Sequence, residues 1–339
     1  MLTDNSIKNL DPVLRRDWHV VAKSEDLSDN DVLGANLLDV SLVIWRTEGK
    51  LSVARNLCKH RGGSFFDLSG EDRFRAKIID GNLECPYHGW QYNTGGQCVL
   101  FPYDQTKTPP TTAQLEGGYE IEERYGWIWI CLEPNEQTIP AFPEWDEGTY
   151  RKMQCPAYPF RAAAQRFMEN FQDVPHFPFV HEGYLGTRER TEMSDYDVTI
   201  EADGIHARNI EFWQDNPDGT GRGAMAHYNY HVMRPLTVRF DKQTGKGEIF
   251  SVMCHITPNS VTESTAWMIM AMNYGFDIPA KEIVEFQNTI AGQDIPIVES
   301  QRPELVPLDL TVELSMRPDK LSIAYRRWLK ELGVTFGTE

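Results

Sequence analysis

Positive charge is scarce in this chain of 339 residues: 33 lysines and arginines face 50 aspartates and glutamates, a formal net charge of −17. A surface this acidic repels phosphate backbones, so nucleic acid is not an expected partner. Long hydrophobic runs are also missing. The longest, "AWMIMAM", has about seven residues, against roughly 20 for a membrane-spanning helix. The N-terminal stretch "MLTDNSIKNLDPVLRRDWHVV" lacks the apolar segment of a secretory leader. Cysteines number only six and are scattered. They read as reduced thiols or metal ligands rather than as a disulfide framework, and the cytoplasm is the expected compartment. No dinucleotide loop stands out. "GTGRG" at 219–223 follows the polar "FWQDNPD" instead of a buried strand, so it reads as a hairpin turn.

Hydrophobic residues at 41% and charged residues at 24% are ordinary for a globular protein, and the length allows two domains. From Trp18 to about Leu132 the texture is short and β-like: "WHVVA", "VSLVIWRT", "LSVARNL", "AKIIDGNLEC", "GWQYN" and "YGWIWICL" are punctuated by Gly, Asp and Asn. The Pro- and Glu-rich "EPNEQTIPAFPEWDEG" places a boundary near 133–150, giving domains 1–150 and 151–339. Beyond it the pattern is α+β. "FRAAAQRFMENFQDV" predicts a helix halted near Pro175. Four strand-rich segments follow, then a helix from about Pro279 through "AKEIVEFQNTIAGQ". A last amphipathic helix, "DKLSIAYRRWLKEL", is closed by Gly333. An antiparallel sheet with helices at its ends and on one side is expected.

"CKHRGG" (58–63) and "CPYHGW" (85–90) each pair a cysteine with a histidine, two and three residues apart. Four such ligands on two loops point to a metal. Structural zinc is one reading, but zinc modules usually pair like with like. One Cys and one His per loop suits a two-iron cluster in which Cys58 and Cys85 hold one iron and His60 and His88 the other. That is the Rieske arrangement, whose potential lies above that of an all-cysteine cluster. Gly62, Gly63 and Gly89 would let backbone N–H groups approach the sulfurs, and Tyr87 and Trp90 would shield the cluster.

Downstream, "ENFQDVPHFPFVHEG" offers Asn170, Asp173, His176 and His181. Histidines five apart lie about 140° around an ideal helix. Pro178 between them is expected to kink or end the helix and let the rings converge. Two His with one carboxylate is the ligand set of non-haem Fe(II) oxygenases. The carboxylate must come from elsewhere. Asp294 in "AGQDIPIVESQRPE" is the choice, at the end of a helix that must bend at Pro296, with Glu299, Asp277 and Glu285 as competitors.

C-x-H, C-P-x-H-G-W, N-x-x-D-x-x-H-x₄-H and a late Q-D-x-P-x-x-E together resemble the oxygenase component of Rieske non-haem iron oxygenases, over nearly the whole chain. The resemblance implies an N-terminal antiparallel β Rieske domain and a C-terminal helix-grip catalytic domain. It implies a [2Fe-2S] cluster on Cys58, His60, Cys85 and His88, and a mononuclear Fe(II) on His176, His181 and Asp294. It makes Asp173 the bridging aspartate and Asn170 its neighbour. It further implies O₂ as co-substrate, a separate reductase or ferredoxin, and a homotrimer. "HFPFVHEGYLG" and "AYRRWLKELGVTFG" are similar to the Rieske hydroxylases of saxitoxin biosynthesis, which implies a small cationic or alkaloid-like substrate. Hydroxylation of a C–H bond is the expected reaction, with oxidative O- or N-demethylation as the alternative. The 24 residues between His60 and Cys85 exceed the family's usual spacing and predict a longer hairpin around "GEDRFRAKIIDG". A pure electron-transfer Rieske protein and a zinc-stapled binding protein are the rival readings. Pocket walls are expected from "YNYHVM" and "MIMAMNYGF".

Overall fold

The short runs of Val, Ile and Trp near the N-terminus form ten strands in the computed structural model, which describes residues 5–339. The stretch read for a leader begins at residues 1–4, which lie outside the described residues. The chain divides into two units after Ile139. Residues 140–150, given to the first domain by composition, pack instead with the second. Glu144 is buried there, where it pairs with Arg239 and accepts a bond from the Ser251 hydroxyl at 2.9 Å. A carboxylate buried this way needs such partners, and they fix the segment to the second unit.

In the first unit β1 (His19–Lys23) pairs with β10 (Trp127–Cys131), and β10 with β9 (Glu120–Arg124). β2 (Asp31–Leu37), β3 (Val40–Thr47) and β4 (Lys50–Arg55) form a second sheet. β5 (Lys77–Ile79), β6 (Asn82–Glu84), β7 (Gln91–Tyr92) and β8 (Cys98–Leu100) form a third. All pairings are antiparallel. β2 and β9 escape the sequence reading because Gly, Asp and Glu interrupt or outnumber their apolar residues, and β8 because its three residues, CVL, are too short a run to show a period. The long segment before Cys85 contains the β5–β6 hairpin. It is preceded by a loop that a Phe66–Arg75 bridge and an Asp67–Arg73 ion pair close.

The second unit is an eight-stranded antiparallel sheet. Its order is β11 (Arg151–Gln154), β18 (Ser264–Met272), β17 (Glu248–Pro258), β16 (Thr237–Gly245), β15 (Ala224–Arg234), β14 (Gly204–Gln214) and β13 (Asp197–Glu201), with β12 (Tyr158–Phe160) also on β18. The GTGRG segment is the β14–β15 connection, a turn as expected. Every residue of β18 is buried. Each buried Met, Ile or Trp there contributes about 1.5–3 kcal/mol of transfer free energy. Besides the single turn α1 (Pro143–Asp146), four helices accompany the sheet: α2 (Ala164–Gln172), α3 (Phe177–Val180), α4 (Ala280–Ser300) and α5 (Lys320–Leu332). α2 packs against β17, α4 and α5. Arg166 and Arg326 tie it down through the carboxylates of Glu169 and Glu313. Breaking such a buried pair costs about 3–5 kcal/mol. Among the described residues, no helix is long and apolar enough to cross a membrane.

Candidate metal centres and active site

The two Cys/His loops fold alike. Cys58 N–H donates to Gly63 O at 2.8 Å and Gly62 N–H to Cys58 O at 2.9 Å; Cys85 N–H donates to Trp90 O at 2.8 Å and Gly89 N–H to Cys85 O at 2.9 Å. Each turn needs a left-handed residue four places after its cysteine. Glycine supplies it, with φ of 66° at Gly62 and 68° at Gly89. The backbone N–H groups of His60 and Arg61 point at the Cys58 sulfur, and those of Tyr87 and His88 at Cys85. The sulfurs hydrogen-bond to one another. With Tyr92 OH at 3.2 Å, this holds Cys58 below the ordinary thiol value and pushes Cys85 above it. Two buried sulfurs in contact, one of them favoured as a thiolate, form a site where a cation would stabilise both.

Both thiols are buried in the core of the unit, whereas His60 and His88 are half-exposed. Their rings meet edge to face with centroids 4.6 Å apart. Trp90 stacks on His60 at 4.4 Å, and Tyr87 lies 3.7 Å from His88. His60 Nδ1 is buried with no hydrogen-bond partner. A buried imidazole nitrogen with no protein partner is available as a ligand atom, so with the two buried thiols and His88 the residues fit a Cys₂His₂ two-iron cluster.

The second centre is built by three short elements. Asn170 lies in the last turn of α2, and Asp173 caps it. His176 and His181 then bracket α3, one at each end. Pro178 does not end a helix here. It sits in the first turn of α3, where a missing N–H costs nothing, and the single turn swings both rings together. The third group comes from α4. Pro296 does not end that helix either. It removes the bond to the Gly292 carbonyl, and the helix continues to Ser300 with Val298 buried. Asp294 is therefore inside the helix and largely buried.

His176 Nε2 lies 3.1 Å from His181 Nε2 and 3.4 Å from Asp294 Oδ1; His181 Nε2 is 3.1 Å from the same oxygen. The outer nitrogens are both engaged, His176 Nδ1 with Asp173 Oδ2 at 2.9 Å and His181 Nδ1 with Gln293 Oε1 at 2.8 Å. With each Nδ1 turned outward to a fixed acceptor, both Nε2 atoms converge on one carboxylate oxygen, and only a proton or a cation between them makes that convergence favourable. Burial lowers His176, but Asp173 and Asp294 outweigh it and raise the imidazole to about 9; the two histidines hold Asp294 at about 2 despite burial. The residues fit a divalent metal. The competing carboxylates are elsewhere: Glu299 accepts the Arg161 N–H at 2.8 Å, and Glu285 pairs with Lys281 on the exposed side of α4. Asp277 is exposed. Asn170 Nδ2 donates to Asp294 Oδ1 at 3.2 Å.

Sequence reading missed Gln293. Its signal was present in the Q-D pair: neighbours on a helix lie about 100° apart, so Asp294 reaches one nitrogen of His181 and Gln293 the other. The centre opens on a narrow cavity walled by Phe171, Tyr228, Tyr230, Phe240, Phe250 and Phe286. Tyr228, Tyr230 and Met268 lie in the two segments expected as walls. The phenylalanines from β16, β17 and α4 do not.

Residues 17–114 match the Rieske [2Fe-2S] domain, and residues 160–335 match the vanillate O-demethylase oxygenase C-terminal domain. Methylxanthine N1-demethylase NdmA of Pseudomonas putida is 29% identical over 94% of this chain and 89% of its own length. The probable methylxanthine N7-demethylase NdmC of Pseudomonas sp. (strain TJI-51) is 36% identical over 63% of this chain and 77% of its own. The solved structure of Pseudomonas putida CBB5 NdmA with caffeine superposes with a TM-score of 0.77 at 28% identity, covering 94% of this chain and 90% of that one. The chain belongs to the Rieske oxygenases whose catalytic domain is of the vanillate O-demethylase type, demethylating monooxygenases among them.

Proposed function

We propose that this oxygenase removes an N- or O-bound methyl group from a small aromatic molecule by oxidising it. Cys58, His60, Cys85 and His88 would hold the cluster, and His176, His181 and Asp294 the mononuclear iron. The observation that carries the reading is the convergence of those last three residues in the wall of an aromatic cavity. When bound, the two centres supply electrons and O₂ activation. The chain's own groups do the rest. Asp173 and Gln293 fix the imidazole tautomers, and Asn170 orients Asp294. The aromatic walls exclude water and pack on a planar substrate.

The relatives favour demethylation, since NdmA, NdmC and the vanillate O-demethylase oxygenase subunit of Pseudomonas sp. are all demethylases. Hydroxylation at a carbon that keeps its oxygen is the second reading, and it uses the same residues. The reading includes a separate reductase or ferredoxin as electron donor, which the half-exposed His60 and His88 would face. It also includes a homotrimer. Support comes from Asp173, which is only partly buried and gives Oδ2 to His176 while its Oδ1 has no partner among the described residues. A head-to-tail ring would let a neighbour's imidazole use that oxygen. The six free cysteines are in keeping with a cytoplasmic location.

The test is turnover with a surrogate reductase on N-methylxanthines and methoxybenzoates. A hydroxylated N- or O-methyl group breaks down to formaldehyde, so one formaldehyde per product identifies demethylation. A retained hydroxyl identifies the second reading. No product from any substrate, with no substrate-stimulated oxygen uptake, contradicts both.

A further inference from the structure

One charged side chain of the cavity holds no metal ligand in place. On β16 the alternate residues Val238, Phe240 and Lys242 are buried. Lys242 lies directly opposite Tyr228 of β15 and Phe250 of β17, so the three form one row across the sheet. All three line the cavity that contains His176, His181 and Asp294. The Lys242 ammonium lies 5.0 Å from the Tyr228 ring centroid, 5.3 Å from Phe250 and 5.8 Å from Phe240. It donates to Gln214 Oε1 at 3.4 Å and to the Pro217 carbonyl. An ammonium has three donors, so one is left with no acceptor among the described residues. Among the described residues no carboxylate forms an ion pair with it. Asp218 is the one acid whose charge acts on it, and both Asp218 oxygens already accept bonds, from Tyr274 OH and from the Thr220 N–H.

As a purely structural group this lysine is a poor choice. A buried ammonium without a counter-ion is costly, and a methionine would fill the same space better. Burial accordingly drives Lys242 down to about 7. The aromatic faces offset part of the cost. A ligand bringing a negative oxygen would offset the rest.

We propose that Lys242 selects the substrate: its free N–H anchors an anionic oxygen, as in a carboxylate, of a small aromatic compound. The ring packs among Tyr228, Phe240 and Phe250, and the oxidisable group faces His176, His181 and Asp294. This rests on the oxygenase reading above. It also replaces the expectation of a cationic substrate, because a positive ligand in this cavity would lie beside an ammonium already short of negative charge.

The test is isothermal titration of the metal-loaded protein with 4-methoxybenzoate, its neutral isostere 4-methoxybenzamide, and the cation 4-methoxybenzamidine. Benzoate should bind about 10-fold or more tighter than the amide, as a charge-assisted bond requires, and the amidine most weakly. Lys242→Met should bring benzoate to the amide's level without changing amide binding or metal content, and Lys242→Arg should keep part of the preference. Undetectable benzoate binding, an amide or amidine that binds as well as benzoate, or a preference that survives Lys242→Met overturns the proposal. So does a Lys242→Met protein that melts below wild type and loses amide binding, since that shows a structural role. Titration needs no turnover, so benzoate preference in a protein that demethylates nothing would contradict the proposed reaction and leave only the anion preference of Lys242 standing.

Discussion

His181 Nε2 and Asp294 Oδ1 lie 3.1 Å apart, one at the end of a single helical turn and the other inside the 21-residue helix α4. The contact places a buried carboxylate against two imidazoles whose outer nitrogens are already occupied. Gln293, beside Asp294, holds the other nitrogen of His181. Gln293→Ala should therefore weaken mononuclear iron binding by about 10–100-fold, as loss of a group that orients a metal-bound imidazole does, and leave the cluster spectrum unchanged. Iron retention during dialysis against a chelator checks this.

Asp173 fixes His176 from outside the centre, at 2.9 Å. Asp173→Ala should leave the cluster occupied and most mononuclear iron in place, yet lower turnover by at least about 100-fold, more than the loss of an orienting group alone brings. In a single-turnover experiment, the absorbance of the reduced protein should fail to return when substrate and O₂ are added. Normal recovery in a fully metallated variant would assign Asp173 a purely supporting role.

How far the sequence foretold these contacts depends on distance along the chain. Cys58, His60, Cys85 and His88 were readable because each loop is a local motif whose turn is set by its own glycine. His176 and His181 were readable as a pair, but not how they meet: Pro178 can end one helix or begin another, and only packing decides. Asp294 was one carboxylate among four, since nothing local says which face of α4 turns inward. Lys242 was invisible, because alternation marks a strand position as inward only when its residue is apolar, and here the inward residue is charged. β2 was hidden for a related reason. Its Gly34 is covered by Phe66 and Leu68 from the loop before the β5–β6 hairpin, a contact no local pattern encodes.

Tyr92 donates toward the Cys58 sulfur at 3.2 Å from within the core. A hydrogen bond to a cluster sulfur stabilises the more negative, reduced state, so Tyr92→Phe should lower the cluster's reduction potential while the protein keeps its iron. Protein-film voltammetry reads the shift directly. An unchanged or raised potential would mean that this hydroxyl does not act on the cluster.

Lys242 makes stability depend on pH with a definite sign. Its folded value, about 7, lies below the ordinary 10.5, so between these values the unfolded chain binds more protons and stability rises with pH. The penalty is complete below about pH 7 and gone above about pH 10.5. Lys242→Met lacks it. The variant should therefore be more stable than wild type by about 3–5 kcal/mol at pH 6, with the gap closing towards pH 10. Paired thermal melts at several pH values check this, and a gap that widens with pH would contradict it.

Two separate metal centres on one chain are the core of this account, and iron counting tests them most directly. Wild-type protein should carry three irons per chain and show the visible absorbance of a Rieske cluster. Asp294→Ala should carry two, with that absorbance intact. Stoichiometric zinc in place of iron at Cys58, His60, Cys85 and His88, or a third iron retained in Asp294→Ala, would contradict the account.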